Sequence, residues 1–597
     1  MNRIRIQIIF IFLISITSSF SQAPLNPEIT NDEIQYHINY LASDELEGRM
    51  TGTDELYKAA VYIQNEFDRY GLHPLFDGSY FQEFPYMAGI ELGENNFLSI
   101  NTGNIKKDLK VKADFIPLSF TDNFSISGNL VFAGYGIEAD NLNYNDYKNL
   151  DVTDKIVLVL RNHPDKKNPH SEFDKFSSLR YKSTTARDKG ARGIIFINDF
   201  EKDPDELIEL KYDNAAPIKE IAAMHIKRSF IQEILNSENK SLTDIVGIID
   251  EELSPNSFEI VNSKIELNTE INRIEKISWN VGAMIPGNDE NYTNEYVVIG
   301  AHFDHLGWGE QNSLYMGDIP MIHYGADDNA SGTTGLLELA EKFMSVKDQL
   351  KRSVIFTAFS GEELGLLGSA YMVNNFPVPI DDVITMINMD MIGRLNENND
   401  LIVYGTGTSS NWKQILDEKN SYELNLTFND EGFGPSDHSS FYGKQIPVLF
   451  FFTGTHADYH KPSDTADKIN ADGQEKILHF VYDVANEVIQ FDSKPEYIAV
   501  ERKDRGRMTS TRVWVGTIPD FAGEVDGYKL GGVTDGSPAD KAGLIAGDII
   551  TLFGGKKISN IYDFTYALAD FVPGDKVDVI VLRGNEEIKV EIELSSR

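Results

Sequence analysis

Between residues 290 and 455 the chain returns repeatedly to one pattern, a short and almost continuously apolar run: EYVVIGAHFD, RSVIFTAFSG, DVITMINMDM, DLIVYGTG and IPVLFFFTG. Helical patterns separate the runs, as in SGTTGLLELAEKFM, where Leu336, Ala340, Phe343 and Met344 fall on one face. Strands without polar alternation need cover on both faces, and intervening helices supply it. The pattern predicts an α/β fold with a mixed, mostly parallel sheet sandwiched by helices. Ligands of such sheets bind at the carboxyl ends of the strands, and the polar clusters of this region fall there.

In AHFDHLG, His302 closes an apolar run and Asp304 stands two residues on, so alternation puts both on one side. A carboxylate so placed accepts the ring N–H of a metal-bound histidine or binds the ion itself. A strand-end histidine bonded only to backbone is the plainer alternative. GADDNASG sets Asp327 and Asp328 side by side before a helical run, with Ser331 as its expected N-cap and Asn329 as a side chain that can fix the loop. The helix dipole accounts for one acid at this point, less easily for two. In SGEELGLLGS, Glu362 and Glu363 directly follow the run VIFTAF. Neighbouring carboxylates at a buried strand end are costly without a cation. A metallohydrolase uses such a pair, one acid on the metal and one free to take a proton. Asp390 in INMDMIG is a lone acid inside an apolar strand, and His460 in DYHKPSDT follows VLFFFTG. His323, His438 and His456 are secondary candidates. His37, His73, His163, His170, His225 and His479 lack an acidic motif at ligand spacing and read as structural.

There is no cysteine, which excludes disulfides, thiolate ligands and a cysteine nucleophile. Any metal must be held by His, Asp and Glu, a set that suits zinc, with manganese or cobalt as substitutes. The clusters together supply the donors needed by two metals roughly 3.5–4 Å apart that share a carboxylate and a water. A net charge of -39 excludes nucleic acid and anionic lipid as main partners, since both need a cationic surface.

At 597 residues the chain exceeds one core. Arg3 and Arg5 precede the apolar run Ile8–Ile16, and small residues follow, so residues 1–21 read as a secretory signal peptide cut after Ser21. The expected product is exported, periplasmic or secreted, with no membrane span. Residues 115–265 form a strand-rich unit without a His and acid cluster, between 22–114 and 266–492. A charged linker, 493–508, leads to 509–597, which reads as strands, one short helix and a terminal hairpin.

In this order, AHFDHLG, GADDNASG, SGEELGLLGS, NMDMIG and DYHKPSDT resemble the motifs of the co-catalytic di-zinc aminopeptidases, metallopeptidase family twenty-eight, over about residues 30–490. The resemblance implies two Zn2+ per chain, His302 and Asp390 on one, Glu363 and His460 on the other, and Asp328 bridging. It makes Glu362 the general base and Asp304 the partner that orients His302, and leaves Asp327 with loop geometry or a hydrogen bond. Residues 115–265 resemble a protease-associated domain inserted into the discontinuous peptidase domain. Residues 509–597 resemble a PDZ domain, whose carboxylate-binding loop would be Gly516, Thr517, Ile518, Pro519, Asp520 and Phe521, with an extended peptide as ligand. The implied activity is an aminopeptidase acting on peptides or proteins. A carboxypeptidase on the same scaffold is the nearest rival; it needs a cation near the metals, and Arg394 is the local candidate. A non-enzymatic peptide receptor is the rival of another class, and the full ligand set counts against it.

Overall fold

The computed structural model describes residues 26–596 except 103–104, 167, 169–170, 199–204, 213–216, 238–239, 262, 318, 501–512, 520–526, 535, 559–563, 565–566, 569–570, 572 and 585. The signal segment 1–21, residues 501–508 of the linker, His170, Asp520 and Phe521 lie outside the described residues.

The apolar runs form the spine of a nine-stranded mixed sheet. Its order is His73–Pro74, Ile271–Ile285, Ser353–Phe359, Tyr296–His302, Val383–Met389, Val448–Phe452, Asp400–Tyr404 and Asn425–Asn429, with Phe81–Leu92 also paired to Ile271–Ile285. The four central strands run parallel, so their carboxyl ends share one rim. The register aligns His302 with Phe359 and Met389 with Phe451, which brings the segments after all four strands to the same edge.

Helices cover both faces, as near-continuous apolar strands require. Val297, Ile299 and Ala301 pack on the helices Asn31–Leu41, Asp54–Tyr70, Gly332–Ser345 and Ala471–Gln490. Val298 and Ile355 face the opposite layer, with Met372, Val373, Phe441 and Tyr442. The helix Asp54–Tyr70 buries Ala60, Ile63 and Phe67. The Thr53 side chain accepts the Leu56 N–H at its start, and Gly71, at φ 85°, ends it in the left-handed conformation.

Between the two long strands Phe81–Leu92 and Ile271–Ile285 stands the inserted unit. One sheet has the order Phe258–Glu259, Leu130–Phe132, Ile156–Leu160, Gly193–Ile197, Ala222–Ile226 and Phe115–Pro117. A second sheet joins Ile105–Leu109, Phe97–Thr102, Ser263–Thr269 and Phe124–Gly128. The sequence boundary at 114/115 falls outside this grouping. Leu98, Ile100 and Leu109 pack in the insert core with Ile265 and Leu267, so residues 97–109 travel with the insert. The C-terminal unit holds a sheet of Thr517–Pro519, Tyr528–Val533, Ile549–Phe553, Lys556–Lys557 and the terminal hairpin Lys576–Arg583 with Glu586–Glu593.

Candidate metal centre

At the shared rim, His302 Nε2 lies 3.4 Å from Asp328 Oδ1 and 3.3 Å from Asp390 Oδ1. His460 Nε2 lies 3.3 Å from Asp328 Oδ2 and 3.2 Å from Glu363 Oε2. The structure thus brings together all five side chains singled out as ligands, with Asp328 between the two histidines. Two groups have ligand atoms within 4.8 Å of one another: His302, Asp328 and Asp390, and His305, Asp328 and Glu363. Asp328 belongs to both. Every member of the two groups is buried.

Buried atoms without partners mark the centre. His302 Nε2, His305 Nε2 and Asp390 Oδ1 have no hydrogen-bond partner. Such groups are expensive unless a cation takes their lone pairs. The electrostatics agree. Burial pulls His302 down, but Asp390 and Glu362 carry it well above the ordinary imidazole range. Against burial, Glu363 and Asp328 push His460 up to about 11. Burial would raise Glu363, yet His460 and His305 hold it well below the usual carboxylate range. Burial lifts Glu362 well above that range, helped by Asp390, Glu363 and Asp437. Carboxylates this crowded draw positive charge, and the hard oxygen and imidazole donors fit a divalent zinc-like ion.

The loop carrying Asp328 is held from several sides. Gly325 takes φ 56°, and the Asp328–Asn329 peptide is cis. The Asp464 Oδ2 accepts the N–H of both Asp327 (2.8 Å) and Asp328 (3.1 Å). Asp327 points away from the ligands: its Oδ1 accepts the Gly393 N–H at 2.7 Å, and its Oδ2 lies 3.0 Å from His456 Nε2. Asn329 Oδ1 accepts the N–H groups of Gly332 and Met391. Ser331 stands at the N-cap position expected of it but makes no capping bond: its backbone is already helical and its hydroxyl donates to Asp327 O.

The Asp304 carboxylate lies with Oδ1 3.6 Å from His302 Nδ1, accepts the Glu362 N–H on Oδ1 at 3.2 Å, and accepts the Thr51 hydroxyl on Oδ2 at 2.8 Å. Beneath it Arg49, fully buried, donates to the carbonyls of Phe303, Leu41, Tyr324 and Gly325. This guanidinium fastens the His302 strand end to the Asp328 loop.

Sequence reasoning missed His305, whose Nδ1 lies 2.7 Å from Glu363 Oε1 and 3.9 Å from Asp328 Oδ2. The HFDH spacing was the available signal. Arg49 and Asp464 were also missed. Among the secondary histidines, His456 joins Asp327, and His323 bonds Ser313 and Met321 O. His438 is buried with both ring nitrogens lacking a hydrogen-bond partner. Arg394 is engaged by Asp458 at 3.3 Å and Asp464 at 3.1 Å. In the C-terminal unit, Gly516 at φ 81° leads into the strand Thr517–Pro519, which pairs with Tyr528–Val533.

Residues 280–485, which contain all five candidate ligands, match the family model for peptidase family M28. This segment is a family M28 peptidase domain. Residues 126–234 match the PA domain and residues 519–594 a PDZ domain, so the M28 domain carries a PA insert and is followed by a PDZ unit. The chain is similar to leucine aminopeptidase 2 of Trichophyton rubrum, 28% identical over 229 residues, 33% of this chain and 41% of that protein. A probable leucine aminopeptidase of Arthroderma otae is 28% identical over 224 residues, 34% of this chain and 57% of that protein. The chain thus spans about two fifths to three fifths of the length of these curated relatives. Among solved structures, an aminopeptidase from Aneurinibacillus sp. strain AM-1 matches with a TM-score of 0.44 and 23% identity, over 80% of this chain and 98% of that one. A zinc aminopeptidase from Bacillus subtilis matches with a TM-score of 0.41 and 20% identity, over 77% and 95%.

Proposed function

We propose that the protein is an exported, zinc-dependent exopeptidase that removes N-terminal residues from peptides. The observation that carries this reading is one buried carboxylate, Asp328, common to two ligand groups. In this reading two Zn2+ would be held per chain, one by His302 and Asp390 and one by Glu363 and His460, with Asp328 available to both and His305 supporting Glu363. When bound, such a pair supplies Lewis acidity toward a scissile carbonyl and lets a water lose its proton near neutral pH. Glu362 takes that proton and delivers it to the departing amine. Its backbone bond to Asp304 holds it beside the His302 strand end. Asp304 in turn orients the His302 ring, with its carbonyl oxygen 3.3 Å and its carboxylate 3.6 Å from Nδ1.

The crowded acids favour a substrate with a free α-amino group. Arg394, the cation a carboxypeptidase would need, is already bound by two aspartates, which disfavours that rival. The N-terminal signal segment supports export to the periplasm or the medium. Among the described residues no helix is long and apolar enough to cross a membrane. We assign residues 22–96 and 270–492 to the peptidase domain, with the PA unit between them, and an extended peptide to the edge of the PDZ unit.

Peptides with free or blocked ends, assayed with and without a chelator, test the proposal. Cleavage that needs a free amine and disappears with the metal is expected, and chelator-resistant or absent cleavage refutes it. Glu362→Gln should keep its metal and lose at least about a hundredfold in kcat, the scale of general acid–base catalysis. Full turnover in that variant removes Glu362 from its role.

A further inference from the structure

We infer that a cavity beside the metal centre is the subsite for the side chain of the residue that carries the leaving amine, and that it selects an apolar or aromatic side chain there; the inference rests on the peptidase reading above. The cavity measures about 350 Å³, within the roughly 300–1,000 Å³ of small-molecule sites. It opens between the strand Phe81–Leu92 and the helix Leu367–Asn374, and Phe84, Tyr86, Leu364, Leu367 and Tyr371 form its apolar walls. Tyr212, from the inserted unit, closes one side. None of its lining residues carries a charge, although the chain as a whole carries -39. An uncharged aromatic pocket in so acidic a protein rewards burial of an apolar group and penalises a carboxylate.

The walls are fixed rather than pliable. The rings of Phe84 and Tyr371 stack with centroids 5.5 Å apart. Tyr86 donates its hydroxyl to Thr51 O at 2.7 Å, and the Thr51 hydroxyl holds Asp304. Two of its lining residues adjoin the metal centre along the chain. Leu364 directly follows Glu363. Asn312, next to the rim residue Gln311, donates to Glu363 O at 2.7 Å, and its carbonyl lies 2.8 Å from His460 Nδ1.

Direction follows from the proton. As the C–N bond breaks, its electron pair stays on the nitrogen, which receives the proton Glu362 took from the attacking water. In this reading the residue bearing that nitrogen lies on the Glu362 side of the centre. Leu364 follows Glu362 by two residues, and the Leu367 N–H is bonded to Gly361 O, the residue before Glu362. Met391, Phe452 and Tyr459, beyond Asp390 and His460, form a separate apolar cluster.

The test uses the full-length, zinc-loaded protein and the peptides Leu-X-Gly-Gly with X as Gly, Glu or Phe. The wild type is expected to favour Phe over Gly by about tenfold to a hundredfold in kcat/KM, the scale of burying one large apolar side chain. Tyr212→Ala and Leu367→Lys should each lower that ratio at least about fivefold, and Leu367→Lys should also raise Glu relative to Gly, because it places a cation in the pocket. Each ratio comes from one preparation, so partial misfolding cancels. Good cleavage with a Phe to Gly ratio near one, or a ratio unmoved in both variants, overturns the subsite and leaves the peptidase reading standing. Cleavage of no peptide removes the peptidase reading and the subsite with it.

Discussion

The neighbouring acids Asp327 and Asp328 should separate metal binding from stability when each is changed to Asn. Asp328 lies with its two oxygens 3.4 Å from His302 and 3.3 Å from His460, inside both ligand groups. Removing one unit charge about 4 Å from an ion, at an effective dielectric near 20, costs about 4 kcal/mol per unit of ion charge. For a divalent ion that comes to about 8 kcal/mol, so metal affinity should fall by at least about a thousandfold. The metal-free protein gains from the same change, because burial and Glu363 already make the Asp328 charge unfavourable and raise its pKa. Asp327 is the reverse case. Its Oδ1 accepts the Gly393 N–H, which an Asn oxygen keeps, while the charged contact with His456 is lost. A charge-assisted hydrogen bond is worth about 1.5–3 kcal/mol, so Asp327→Asn should lose that much stability and about tenfold or less in metal affinity. Competitive zinc titration and urea unfolding of the metal-free proteins measure both quantities. Equal losses of metal from the two variants, or a metal-free Asp328→Asn protein less stable than wild type by 2 kcal/mol or more, would refute the assignment.

Two further outcomes follow from the same geometry. Burial holds His37, His225 and His438 each down at about 3, below the unfolded value near 6.5. Their neutral forms stabilise the fold fully above pH 6.5, and that stability is lost as pH falls toward 3, about 2 kcal/mol per histidine by pH 5. Denaturant midpoints of the metal-free protein at pH 7.5 and pH 5 check this, and an unmoved midpoint contradicts it. Gly325→Ala must hold a left-handed φ of 56° and set its Cβ 2.2 Å from Asp328 O. The conformation alone costs about 1–2 kcal/mol, and the clash shifts the Asp328 loop, so both thermal stability and zinc affinity should fall. Wild-type zinc affinity in that variant would show that the loop tolerates the added carbon.

The sheet and its rim were legible because buried parallel strands write themselves as apolar runs, and the register then delivers their ends together. His302, Glu363 and Asp390 close or follow such runs, so their convergence needed no tertiary knowledge. For His305 the HFDH spacing was the only hint, since it stands beyond the strand in a segment positioned by a bridge to Met50 and a bond to Arg49 O. Asp464 reads as a surface acid in KPSDT, and only the folded chain brings it under the backbone of Asp327 and Asp328, more than a hundred residues away. Ser331 illustrates competition for one hydroxyl. A serine before a helix predicts a cap, but here its hydroxyl donates back to Asp327 O and makes no capping bond. Residues 97–109 were assigned by position along the chain, whereas cross-strand pairing with Ser263–Thr269 decided where they belong.

The strands Phe81–Leu92 and Ile271–Ile285 run antiparallel, with Leu92 opposite Ile271 and Phe81 opposite Val281. The two cut ends of the host therefore face each other across a single rung. In topological terms everything from residue 93 to 270 is the tip of one hairpin, enlarged until it became a body with its own cores. A two-residue turn would close the host without disturbing its register. Because the ribbon already holds the ends together, lengthening, shortening or replacing the guest adds little closure entropy. What lines the cavity from the guest side, Tyr212 included, can thus be exchanged without cutting into the scaffold that holds the acids and histidines.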